Sequence, residues 1–289
     1  MAVVLKRVVL SAIALVVVGG VFGAVTMFAW MIDETHFDRP DTRFDRLTAS
    51  LDSEPGVSVD AQERWVEAPT FSDPTSWIWL TVEADHLPGL LASACAEQYA
   101  DPVSWSLSVP TDNGSVVSLY TGGMPGDGVD DAPCPDFGFD AVGVVGEVGR
   151  SVPGMNLQAS VWENGRFGLV ALDDDPGVLA AMLPLVDRAE ELRDAAGVDP
   201  NRSIQIDAGS LSAVIAPDEH DRYLALLSDL AESHGVTSYW ADGSGTPTDG
   251  VEKVQIRAPD AEHTGIEDAI RSSGLHVADF PVRFLPLTP

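Results

Sequence analysis

Lysine is almost missing from this chain. Lys6 and Lys253 are the only two, and the other 14 of the 16 basic residues are arginine, the bias of a GC-rich bacterial genome. Against them stand 45 aspartates and glutamates. So acidic a chain repels polyphosphates and anionic head groups, which excludes nucleic acid as an expected partner. Cysteine is equally scarce: Cys95 and Cys134 stand without a CxxC or a Cys/His cluster, so neither structural zinc nor an iron–sulfur centre has a ligand set. No metal and no cofactor is expected.

The local signatures of catalysis are missing too. There is no GxxxxGK[ST], no GxGxxG after a strand, no GxSxG and no HExxH. Gly143, Gly146 and Gly149 repeat at helix-face spacing, and Gly243-Ser244-Gly245 reads as a flexible connection. His220 and His234 share a predicted helix, but 14 residues of helix put them about 21 Å apart, too far to share one ion. Asp127, Asp130 and Asp131 make an acidic loop with the oxygen chemistry of calcium but not an EF-hand spacing. Asp85 with His86, and Asp173 to Asp175, precede predicted helices, where acids cap free N–H groups; the competing reading is a carboxylate pair facing one cleft.

Charge is absent altogether from Val8 to Ile32, a run longer than the ~20 residues that span a bilayer core. Lys6 and Arg7 precede it and Asp33 and Glu34 follow. By the positive-inside rule the N-terminus lies in the cytoplasm and the rest outside. A cleaved signal peptide has a shorter apolar core, and here the nearest small-x-small site, Val21-Phe22-Gly23, lies inside the run. The expectation is an uncleaved transmembrane helix acting as a signal-anchor in the cell membrane. All 45 acids fall after it, with 14 basic residues, a net charge of −31. In that oxidising setting Cys95 and Cys134 are expected to form a disulfide.

What is present beyond the anchor reads as a regular α+β chain. Residues 33–75 are broken by Pro40, Pro55, Pro69 and Pro74 and read as an acidic stalk, with a short helix over Thr42–Ser53. From Ser76, predicted strands and helices alternate. Strands fall at Trp77–Glu83, Ser104–Val109, Ser115–Tyr120, Leu157–Trp162, Phe167–Leu172, Ile204–Asp207, Leu211–Ala216, Val236–Ala241, Val251–Arg257 and Phe280–Phe284. Helices fall at Pro88–Tyr99, Phe139–Val152, Val178–Ala196, Asp218–His234 and Thr264–Ser273. Trp79-Leu80-Thr81-Val82 followed by Pro88-Gly89-Leu90-Leu91-Ala92 is echoed by Leu169-Val170-Ala171-Leu172 and Pro176-Gly177-Val178-Leu179-Ala180. The order within each copy, βαββαβ, predicts tandem ferredoxin-like repeats with antiparallel sheets. Residues 76–165 form the first repeat, and 166–289 the second with a trailing βαβ unit.

On the first predicted strand Ile78, Leu80 and Val82 make one face, and Trp77 and Trp79 the other. Covered, those indoles are core; exposed, they are a platform for sugar rings or a protein partner. The expected function is a membrane-anchored extracytoplasmic module for binding, sensing or assembly, not an enzyme. Its partners would be the membrane through the N-terminal helix and an envelope protein or neutral glycan. An envelope hydrolase working through dispersed carboxylates and a structural subunit of a membrane complex are the alternatives.

Overall fold

The strand Thr75–Val82 sets the pattern of the fold. Its sequence, TSWIWLTV, buries Ser76, Ile78, Leu80 and Val82 and leaves the alternate residues half-buried. In the computed structural model the described residues are 36–67, 73–97, 99–121, 134–162, 165–172, 178–241 and 251–287. Within them lie twelve strands and seven α-helices. In chain order they are β1 (His36–Asp38), α1 (Thr42–Asp52), β2 (Val57–Glu67), β3 (Thr75–Val82), α2 (Leu87–Ala96), β4 (Ser104–Pro110), β5 (Val116–Tyr120), α3 (Ala141–Ser151), β6 (Asn156–Val161) and β7 (Phe167–Ala171). There follow α4 (Leu179–Asp187), α5 (Ala189–Ala195), β8 (Ile204–Asp207), β9 (Leu211–Ile215), α6 (His220–Glu232), β10 (Ser238–Ala241), β11 (Val254–Arg257), α7 (His263–Ser272) and β12 (Val282–Phe284).

All twelve strands join one mixed sheet in chain order, β1 to β12. From β3 onward the pairing alternates. Strands joined by a helix are parallel neighbours, as in β3/β4, β5/β6 and β7/β8, and strands joined by a tight turn are antiparallel, as in β4/β5 and β6/β7. Register carries the core across the sheet: Leu80 sits beside Leu107, Leu107 opposite Leu119, Leu119 beside Ala159, and Ala159 opposite Leu169. These residues, with those that face them from the helices, form a single apolar cluster. The helices therefore cover one face of the sheet. Strand direction reverses at each hairpin while the chain keeps stepping to the same side and crossing the same face. Successive crossovers must then alternate in hand, so every second one runs against the usual right-handed preference.

This arrangement corrects the expected fold class. A ferredoxin-like repeat splits each helix-linked strand pair with a third strand; here each such pair is adjacent. The hairpins extend the sheet outward instead of inserting into it, giving one continuous mixed sheet and not two antiparallel ones. The expectation of a transmembrane helix is corrected as well, and with it membrane and signal-anchor as descriptors. Among the described residues no helix is long and apolar enough to cross a membrane. The stretch Val8–Ile32 itself lies outside the described residues, as do Asp127, Asp130, Asp131, Asp173 to Asp175 and Gly243 to Gly245.

The segment expected as a stalk holds α1 and the eleven-residue β2, which pairs with β3 along its length. Asp41 caps α1, accepting from the Arg43 amide at 2.8 Å, and Phe44, Leu47 and Leu51 bury one face of the helix. The register of β2 shifts between Val59 and Ala61, a bulge at Asp60. Pro184 lies inside the expected long third helix, where it removes a backbone bond, and the chain divides into α4 and α5 at Arg188.

Candidate functional site

The sheet face away from the helices is formed by the alternate residues of each strand. From β3 to β7 these are Thr75, Trp77, Trp79 and Thr81; Ser104, Ser106, Ser108 and Pro110; Val116, Ser118 and Tyr120; Asn156, Gln158 and Ser160; and Gly168 with Val170. None of the five strands places a charged side chain here, although the chain carries 45 acidic residues. At ~4.8 Å per strand the uncharged area spans about 19 Å across the strands.

Trp77 and Trp79 lie on this face, half-buried, with ring centroids 4.1 Å apart. Trp65 of β2 adds a third indole, 6.4 Å from Trp77. Two further aromatics share the face and were not predicted. Tyr120 ends β5 and is 39% exposed; Trp162 follows β6 and is 43% exposed. A Cβ on Gly168 would lie 1.9 Å from Trp162 Nε1, so the indole lies directly over that glycine. Only a residue without a side chain leaves room for it.

Register also produces a polar row. Thr81 sits beside Ser108, Ser108 opposite Ser118, and Ser118 beside Gln158. The side chains of Ser108, Ser118 and Gln158 have no hydrogen-bond partner among the described residues. Further along the sheet the polar groups are committed to one another. Arg166 donates to Gln205 at 2.9 Å, Gln205 to Asp207 at 2.8 Å, and Ser212 to Asp207. Arg257 lies 5.1 Å over the ring of Trp240.

Cys95, in α2, and Cys134, before α3, are joined as a disulfide with a Cα separation of 4.6 Å. The bond ties the segment leading into α3 to the crossover helix α2. His220 and His234 are engaged separately. His220 Nε2 lies 3.0 Å from the Val186 carbonyl, and His234 Nδ1 lies 2.9 Å from Glu262. Asp85 and His86 form a short 3-10 turn leading into α2. Among the described residues no group of three or more His, Cys, Asp or Glu side chains is placed to hold a metal.

Two other polar clusters lie at the ends of the sheet, the first adjoining the open face, where Glu63 of β2 sits opposite Trp77. A pocket of about 500 Å³ beside α1 and β2 is lined by Asp38, Asp41, Asp45 and Glu63 together with Phe44, Arg64 and Trp65. Hydrogen bonds from Arg43 hold the Asp41 carboxyl below the usual range, and Arg64 bonds Asp101 at 2.8 Å and Tyr99 at 3.1 Å. At the other end, Glu219 accepts from the His276 amide at 2.7 Å and faces its Nδ1 at 2.6 Å. Below them Tyr223 and Tyr239 lie in the core, and burial pushes both phenols upward.

Comparison with protein-family models, with curated proteins and with solved structures finds no match.

Proposed function

We propose that this protein is a non-catalytic binding module of the cell envelope, acting on the extracytoplasmic side, and that the open sheet face is its recognition surface. The observation that carries the reading is the absence of charge from that face across five strands of so acidic a chain. Solubility alone asks for no such gap, because an exposed sheet face is the natural place for charged residues. An uncharged surface with partly exposed aromatics is what a neutral partner requires, since aromatic rings supply contact area at little entropic cost. The Cys95–Cys134 bond supports an oxidising compartment. Oxidative footprinting of the full chain, with and without isolated envelope material, tests the reading. Protection concentrated on Trp79, Tyr120 and Trp162 is the expected result. Protection elsewhere, or none, overturns it.

The acidic pocket beside α1 favours a second reading, a hydrolase working through carboxylates, because several line one cavity of ligand size. Turnover of a cell-wall substrate that is lost in Glu63→Gln would establish it in place of the first.

A further inference from the structure

We infer that the open face binds a neutral, linear polysaccharide laid across the strands. This rests on the reading of that face as the recognition surface and names its ligand. Three exposed or half-exposed aromatics recur along one direction of the sheet: Trp79 on β3, Tyr120 at the end of β5, and Trp162 over Gly168 of β7. They stand on every second strand, so the step between them is about 9.6 Å. A disaccharide repeat in an extended glycan has that length. Pyranose rings present C–H groups to the electron-rich face of an aromatic ring, and an aromatic at each repeat gives each disaccharide one stacking surface.

The flanking row supplies the other half of such a site. Ser108, Ser118 and Gln158 offer two hydroxyls and a carboxamide, one per strand, parallel to the aromatic line. Both group types donate and accept, which suits sugar hydroxyls of either polarity. No described side chain claims them. The charge pattern selects among glycans. A uronic acid or phosphate-bearing polymer meets the field of a chain with net charge −29, whereas an uncharged polymer does not. The carboxylates nearest the row lie at its β2 end, where Asp60 accepts from the Thr81 hydroxyl at 2.7 Å and Glu63 sits opposite Trp77, and none stands along the polar row itself.

The test is titration of the full chain with cellohexaose, chitohexaose and maltohexaose, read by tryptophan fluorescence and calorimetry, with the corresponding disaccharides as length controls. At least one hexasaccharide should bind, and more tightly than its disaccharide. Trp162→Ala and Tyr120→Ala should each weaken it about tenfold, the loss typical of an interface anchor. Both residues are partly exposed and neither change removes core. Gln158→Glu keeps the shape of the face and adds one charge; it should weaken binding without lowering the melting temperature. The inference falls if no hexasaccharide binds, if the aromatic variants bind as well as the parent, or if sedimentation shows the face consumed by a second copy of the chain. Should oligosaccharides fail while an envelope protein is captured and Gln158→Glu abolishes the capture, the glycan is refuted and the binding-module reading survives. Should neither engage the face, both fall.

Discussion

Helix α3 carries two glycines three residues apart for which the structure demands opposite outcomes. A Cβ on Gly143 would lie 2.2 Å from the Ala195 carbonyl oxygen and 3.2 Å from its carbon. The obstacle is backbone at the end of α5, and it cannot rotate away as a side chain would. Around it Val144, Val148, Leu192 and Ala196 are fully buried, and the Asp140 amide donates to the Ala196 carbonyl at 2.8 Å. Gly143→Ala must therefore push α3 and α5 apart by about 1 Å or more, the shortfall from an ordinary contact. Overpacking costs about 1–3 kcal/mol and the strained hydrogen bond about 1 more, against a helix-propensity gain of about 1. The net expectation is a loss of roughly 1–3 kcal/mol. Gly146 has nothing within 4 Å of its would-be Cβ and is exposed. There only the propensity term acts, and Gly146→Ala should stabilise by up to about 1 kcal/mol. In a chain of this size the two variants should melt roughly 5–15 °C apart, read by far-ultraviolet circular dichroism and checked by urea titration. A Gly143→Ala protein as stable as the parent would refute the close helix contact.

Three further outcomes rest on contacts elsewhere in the molecule. Replacing Cys95 and Cys134 by serine should cost about 2–4 kcal/mol, measured by denaturant unfolding, with non-reducing peptide mapping of the parent recovering the linked pair. Tyr223 and Tyr239 have folded-state pKa values raised by burial, so above about pH 10 the unfolded chain releases protons the native one retains. Stability should be intact below that pH and fall as pH rises through it. In an ultraviolet titration these two of the four tyrosines should ionise only as the chain unfolds; early ionisation of all four would contradict their burial. Gly168→Ala should drive the Trp162 indole off the sheet, seen as increased acrylamide quenching, with the fold retained.

How much of this was legible in the sequence depended on the range of the interaction. Most strands and helices after Ser76 lie within a few residues of their expected limits, because period-2 and period-3.6 patterns are local. The pairing order was not legible. The order βαββαβ fits both a split and a sequential sheet, and only contacts between distant side chains decide between them. Strand β2 was hidden because its bulge at Asp60 breaks the alternation, and Glu63 and Arg64 read as linker charges. Pro184 was visible as a residue, but a proline disturbs the turn before it, and the helix divides four residues after it, at Arg188, where α5 turns to pack against α3. Trp77 and Trp79 were found on the face opposite Ile78 and Leu80 from one strand alone. Tyr120 and Trp162 join them only through the register of β5, β6 and β7, and an indole folded over a glycine leaves no periodic trace.

A sheet whose neighbours in space are its neighbours in sequence has a consequence for how the molecule comes into being. No strand waits for a distant partner: each new helix and strand closes a short loop onto an edge already built. Such a chain can fold from its N-terminal side onward, each strand docking as soon as it is made. Strands added in order lengthen the sheet one at a time, always at the side away from β1. Among the described residues the sheet is bounded on both sides by strands of only three residues, β1 and β12, so each edge strand offers little backbone for a further strand to pair with.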